Sequence, residues 1–375
     1  NKKIVDYVSR IKFRDIPINK PDLTGNEMNY VVDCLNSTFI SSQGKYIKLF
    51  EDNFKKYYQS NYSLAVSNCT SGLMLALKCL NLNKDDEVIV PNVTFASPIN
   101  AILHLGAKPV LCDIDKKNFT IKIESLKKII TKKTKAIITV HMGGRACDMT
   151  KLRSIAKKNN IKIIEDAAQA FGSQQNGRYL GTQSDIGCFS FSMAKTITSG
   201  QGGFVATNNK KLFKEIELEK NHGVVDTQDI SRWIKPGLNY KFTDIQACIV
   251  LSELKRFKTY LKSLVNLYKL YSKKLNQSKD FYIIPVNINY GEVPQYIEVI
   301  AKKRNKLVNF LKKSKIFTRK FYPNMSSANY LKIEKKYKNF NEIYSRYGLY
   351  LPSGTHQNIK DIKKVIQKIN EFNKK

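Results

Sequence analysis

Seven short apolar runs, at 64–66, 87–90, 109–113, 136–140, 161–164, 188–191 and 203–206, alternate with stretches of helical periodicity. Runs this short, with no regular polar partner, are covered on both sides, which predicts a mostly parallel sheet with helices on each face. The fold class is therefore α/β. Ligands in such sheets gather outside the C-terminal ends of the strands. Before the alternation, 25 to about 35 has a helical pattern, 37–44 reads as a loop, and Phe50, Phe54 and Tyr57 recur at helical spacing. After it, Leu254, Phe257, Leu261 and Leu264 predict one long helix over 243–277. Strands at 281–285 and 296–300 and helices at 305–312 and 359–372 then suggest a smaller α+β unit. The expected division is a polar arm at 1–20 ending in an extended segment with Pro17, a large domain at 21–250, and a linking helix with a small C-terminal domain at 251–375. No internal repeat is visible.

Chemistry is suggested by Lys195, which lies between the run 188–191 and a turn carrying Gly200, Gly202 and Gly203. An amine in such a setting can lose its proton and attack carbonyls to form a Schiff base. A lone loop lysine is more often solvated, so the neighbours decide. Ile163-Ile164-Glu165-Asp166-Ala167-Ala168-Gln169 is a buried-strand pattern ending in a carboxylate, and an aspartate there can keep a pyridinium nitrogen protonated. Upstream, Asn68-Cys69-Thr70-Ser71-Gly72 joins a strand to a helix. Its hydroxyls and free N–H groups suit a phosphate, although an ordinary helix cap has the same composition.

Five blocks occur in order: Asn68-Cys69-Thr70-Ser71, Glu165 to Gln169, Phe189-Ser190-Phe191 with Lys195, Gly200-Gln201-Gly202-Gly203, and Gly237-Leu238-Asn239-Tyr240. Together they resemble the signature blocks of the DegT/DnrJ/EryC1/StrS nucleotide-sugar aminotransferases, over roughly 14 to 370. The segments 16–27 and 34–44 look most like the perosamine synthase branch. The resemblance implies a pyridoxal 5′-phosphate (PLP) enzyme of fold type I, the aspartate aminotransferase type, passing through the pyridoxamine form of its cofactor. It implies that Lys195 carries PLP and moves protons, that Asp166 pairs with the ring nitrogen, and that Thr70, Ser71 and Ser190 hold the phosphate beside Cys69. Gln169 is expected on the oxygen side of the ring and Phe95 stacked on it, although a core phenylalanine would also fit there. Asn239 is expected to reach the phosphate across a homodimer.

The implied reaction moves an amino group from L-glutamate to a nucleotide-linked 4-keto-6-deoxy sugar, with Lys241, Arg319 and Tyr322 near the substrate. Solvent-facing cations would explain Lys241 and Arg319 as well. The chain departs from the pattern at Cys69, where glycine is common, at Gln201, where glutamate is usual, at Gln169, where perosamine synthases commonly carry glutamate, and at Asn324, where they have histidine. A 3-keto or N-acetylated sugar therefore stays open, as do a PLP-dependent sugar dehydratase and a non-catalytic regulator. Intact Lys195 argues against both of the last two.

The 64 Lys+Arg against 31 Asp+Glu give a net charge of +33. These cations are mostly lysines scattered over helix faces, whereas a nucleic-acid binder would cluster arginines with aromatics on one surface. No nucleic-acid partner is expected, and the positive field suits anionic substrates. The seven cysteines contain no Cys-x-x-Cys pair and the four histidines have no metal-ligand spacing, so reduced core thiols and no metal are expected. No stretch approaches the roughly 20 apolar residues that span a membrane, and 1–7 lack the apolar core of a signal peptide. The expected location is the cytoplasm.

Overall fold

In the computed structural model, which describes residues 15–226, 233–331 and 341–374, each of the seven apolar runs forms a strand. The elements are α1 (Glu27–Ser37), α2 (Lys45–Tyr58), β1 (Tyr62–Val66), α3 (Cys69–Lys78), β2 (Glu87–Pro91), α4 (Ser97–His104), β3 (Lys108–Cys112), α5 (Ile123–Ile129), β4 (Thr134–Val140), α6 (Met149–Lys158), β5 (Lys162–Asp166), the short β6 (Gln174–Gln175) and β7 (Arg178–Tyr179), β8 (Ile186–Ser190), β9 (Gly203–Thr207) and α7 (Lys210–Lys220). There follow α8 (Asp244–Lys274), β10 (Phe281–Ile283), β11 (Ile297–Ala301), α9 (Arg304–Lys313), β12 (Arg319–Lys320), α10 (Ile343–Tyr347), β13 (Gly348–Leu351) and α11 (Ile359–Asn373).

The large sheet has the order β1-β9-β8-β5-β4-β2-β3. Its strands run parallel except β9, which is antiparallel to both neighbours. Successive side chains alternate between two faces, as strand geometry requires. Leu64, Val66, Cys188 and Val205 enter the core under α3, whereas Ala65, Phe189, Phe204 and Ala206 enter a core shared with α2 and α8. This two-sided burial is why the strands lack a polar period. The second core is rich in rings, with Phe54 stacked on Tyr58 at 4.4 Å and edge-on to Phe189 at 5.1 Å. Truncating Phe54, fully buried here, removes about 3–5 kcal/mol.

The long helix α8 starts where the sequence signals a start. Thr243 accepts from the Gln246 N–H and Gln246 answers onto the Thr243 N–H, a capping box. Its Ala247, Leu251 and Leu254 pack into the ring-rich core, and Leu267 and Tyr271 pack into the core of a second, antiparallel sheet of order β10-β11-β13-β12. One helix thus serves both sheets. The two are also clamped by Arg145, which is 1% exposed. It pairs with Glu298 on β11 and donates to the carbonyls of Pro285 and Ile284.

Of the arm expected at 1–20, residues 1–14 lie outside the described residues. Ile16 is buried and pairs with Ile316 beside the second sheet. Strands β12 and β13 were not legible in the sequence, since two and four residues carry too little period to register.

Candidate active site

The C-terminal ends of β1, β2, β4, β5 and β8 open on one edge of the large sheet. A cavity of about 780 Å³ lies there. At its base, Asn68 caps α3 by accepting the N–H of Ser71 at 2.9 Å, which leaves the N–H groups of Cys69 and Thr70 without intrahelical acceptors. The Thr70 hydroxyl donates to Ser97 at 2.8 Å, and the Ser71 and Ser67 hydroxyls lie 2.8 Å apart. Gly203 crosses directly behind this turn. A Cβ on it would fall 2.3 Å from the carbonyl carbon of Asn68 and 2.5 Å from the Cys69 nitrogen, so only glycine lets β9 pass there.

Asp166 ends β5 and is 5% exposed. Its Oδ1 accepts the Ala168 N–H at 3.0 Å and faces the Cys69 thiol at 3.9 Å. Burial pushes its carboxyl above the ordinary range, against the pull of the Ala168 N–H and of Lys195. The neighbouring Glu165 is different: burial would raise it, but His141, the Gly181 N–H and Ser184 together hold it low. The His141 Nδ1 accepts the Cys147 N–H at 3.3 Å, which fixes the ring proton on Nε2, 2.9 Å from Glu165.

Lys195 follows β8 in a loop closed by bonds from the Phe191 N–H to Gly202 and from the Met193 N–H to Gly200. Gly200 has φ +78°, a conformation that favours glycine. Burial lowers the Lys195 pKa, the Arg319 cation lowers it further, and Asp166 and Cys69 oppose them. Arg319 lies over the Tyr322 ring at 5.0 Å, and Tyr322 meets Phe95 edge-on at 5.6 Å.

Of the residues expected from the sequence, Cys69, Thr70, Ser71, Phe95, Asp166, Gln169, Ser190, Lys195, Arg319 and Tyr322 all line this cavity. Gln169 also accepts the Gly143 N–H at 3.1 Å. Asn239 and Lys241 do not line it. Asn239 is exposed and its backbone bridges Asn221, while Lys241 lines a separate cleft with Ser42 and Lys220. Sequence reasoning missed the lining residues Thr94, Tyr240 and Tyr296, and Gln295, which binds the lysine loop beside the cavity. The Gly-Leu-Asn-Tyr block held Tyr240 in plain view, whereas Gln295 and Tyr296 looked like the entry to an ordinary strand. Glu253, on the buried side of α8, was also missed. It accepts the Thr198 N–H at 3.0 Å and so steadies the lysine loop from behind.

The model of the DegT/DnrJ/EryC1/StrS aminotransferase family matches residues 21–370. The chain belongs to this family. It is 36% identical over 365 residues to GDP-perosamine synthase of Escherichia coli O157:H7, covering 95% of this chain and 98% of that protein. With GDP-perosamine synthase of Vibrio cholerae it shares 34% over 350 residues, covering 90% and 94%. Among solved structures, DesV of S. venezuelae in complex with a ketimine intermediate superposes with a TM-score of 0.90 at 25% identity, covering 96% of this chain and 99% of that one. Spr1654 of Streptococcus pneumoniae in its PLP form gives 0.89 at 25% identity, with the same coverage. The fold is that of the PLP-dependent sugar aminotransferases, fold type I.

The donor set fits PLP. A helix N-terminus ringed by hydroxyls suits a phosphate dianion, and a buried carboxylate at the far end suits a protonated ring nitrogen. Thr94, on the cavity wall, is 1% exposed, and its hydroxyl has no hydrogen-bond partner among the described residues. A bound polar group would satisfy it.

Proposed function

We propose that this aminotransferase moves the amino group of L-glutamate to a nucleotide-linked 4-keto-6-deoxy sugar, with PLP held between α3 and the end of β5. The observation that carries the reading is Lys195, an amine held below its ordinary pKa, sharing one cavity with the buried carboxylate of Asp166. The sugar class rests on the perosamine synthases that the chain matches along nearly its whole length.

PLP, when bound, supplies an electrophilic carbonyl and an electron-accepting ring. The protein does the rest. Thr70, Ser71, Ser190 and the first turn of α3 bind the phosphate. Asp166 holds the proton on the ring nitrogen, and a cation there would repay the cost of burying its carboxylate. Lys195, whose pKa burial and Arg319 lower, takes the proton from the substrate carbon and returns it one atom away. Phe95 covers one ring face, and Arg319 gathers anionic groups at the mouth.

The reading includes a homodimer in which Asn239 of the partner subunit completes the phosphate site. In support, α1 exposes Met28, Val32 and Leu35, with Phe39 and Ile40 beyond it. Phe95 and Met193, at and beside the cavity, are 53% and 60% exposed. Exposed apolar side chains of this kind favour a partner surface.

The test is incubation with L-glutamate and GDP-4-keto-6-deoxymannose, then with dTDP-4-keto-6-deoxyglucose, locating the new C–N bond by NMR. Nitrogen at C4 supports the proposal. Nitrogen at C3, or turnover of a UDP-linked N-acetyl ketosugar alone, overturns the sugar class and keeps the transaminase. Absence of transfer to every ketosugar overturns both.

A further inference from the structure

We propose that Cys34, Asp244 and Cys248 form a buried binding site for a soft divalent cation of the zinc class, remote from the PLP cavity. Cys34 comes from α1, and Asp244 and Cys248 stand one turn apart at the start of α8, on the same helix face. The two cysteines are 248 − 34 = 214 residues apart, so no local spacing announces them. Their Sγ atoms and a carboxylate oxygen of Asp244 all lie within 4.8 Å of one another, and each residue is at most 1% exposed.

The geometry suits a tetrahedral ion. Zinc bonds of about 2.3 Å to sulfur and about 2.0 Å to oxygen set a sulfur–oxygen edge of about 3.5 Å. The Cys34 Sγ lies 3.6 Å from Asp244 Oδ2. That oxygen is aimed by its partner, because Asp244 Oδ1 accepts the Ile47 N–H at 2.8 Å, the kind of outer contact that orients a ligating carboxylate. Two main-chain carbonyls border the site, Phe39 at 3.5 Å from Cys34 and Tyr30 at 3.3 Å from Cys248. Either offers a fourth ligand, and two sulfurs favour a thiophilic metal over magnesium or calcium.

Charge balance also permits it. With both thiols protonated and Asp244 ionised, the site carries one negative charge. One divalent cation replacing two protons leaves it at one negative charge, so the ion adds no net buried charge. The bonds formed are two metal–thiolate and one metal–carboxylate, and the two displaced protons pass to solvent. The ion would fasten α1, with its exposed apolar face, and the 38–44 loop onto α8.

The test uses the reduced protein, dialysed against zinc and then against metal-free buffer, with elemental analysis. One zinc per chain is expected, with two protons released per ion in weakly buffered solution and a rise in the unfolding midpoint. Cadmium should replace it and give a thiolate charge-transfer band in the ultraviolet. Cys34→Ser with Cys248→Ser should lose the ion and the band, and Cys79→Ser should keep both. Because the double variant could misfold, its circular dichroism and its borohydride-fixed PLP content are measured beside the metal. A reduced wild-type chain that retains no zinc or cadmium overturns the proposal. So does a folded double variant with unchanged metal content, or a Cys34–Cys248 disulfide as the sole product under these conditions.

Discussion

Gln295 brackets Lys195. Its Nε2 donates to the carbonyl of Ala194 at 3.0 Å and its Oε1 accepts the hydroxyl of Thr196 at 3.0 Å, so both neighbours of the lysine are tied to one buried side chain. The Tyr296 hydroxyl adds a second bond to the Ala194 carbonyl at 2.9 Å. These two residues enter β11, and the lysine loop is therefore registered against the second sheet. Gln295→Ala should cut kcat more than KM and slow borohydride trapping of PLP on Lys195, with little change in circular dichroism. Tyr296→Phe should do less, since one bond to Ala194 remains. An unchanged trapping rate in Gln295→Ala would mean the bracket does not position the amine.

Lys195 should be the residue that captures PLP covalently. Trapping with borohydride, followed by peptide mapping, should label Lys195 and titrate with a midpoint below the ordinary lysine value of 10.5, because burial disfavours the charged amine. Arg319→Gln removes a like charge and should move the midpoint up. Asp166→Asn removes an opposite charge and should move it down. Labelling elsewhere in the wild type would relocate the Schiff base.

Glu253 gives the fold a pH dependence. Burial pushes its carboxyl from the ordinary 4.5 up to about 8. A raised carboxyl pKa means that the folded chain keeps a proton the unfolded chain has lost, so its stabilising contribution is complete below about 4.5 and disappears as pH rises to about 8. The unfolding midpoint of Glu253→Gln should therefore fall less between pH 5 and 8 than that of the wild type. Parallel pH curves for the two proteins would contradict this.

Arg145 should be expensive to remove. Cutting it to alanine strands Glu298, which is 2% exposed, and a broken buried ion pair costs about 3–5 kcal/mol. Denaturant unfolding of Arg145→Ala measures the loss. Adding Glu298→Gln should restore part of it, and a second mutation that deepens the loss would show that the charge is not the cause.

Asn239 should act between subunits. Mixing Asn239→Ala with Lys195→Ala should regenerate one competent site per heterodimer, because one subunit then carries an intact lysine and faces an intact asparagine. Activity that stays absent after subunit exchange is proven by mass spectrometry would rule out the shared site.

Much of this molecule is written locally. A strand covered on both faces must be apolar throughout, so the seven runs of the large sheet could be read one by one, and the helix expected from 243 starts at Asp244. Asp166 and Lys195 were legible because each stands where a strand ends, and in a parallel sheet those ends meet at one edge. The sequence also carried the blocks of its family in order.

Only the tertiary structure decided which distant residues touch. Gln295 and Tyr296 reach the lysine loop because Arg145 and α8 fasten the second sheet to the first, and the loop they touch lies about a hundred residues away in the chain. Likewise, Cys34 and Cys248 meet because the ring-rich core draws α1 onto α8. Local periodicity sets which face of an element is buried. What that face meets depends on the packing of elements far apart in the chain, and it is there that the lysine was positioned and the two thiols were brought together.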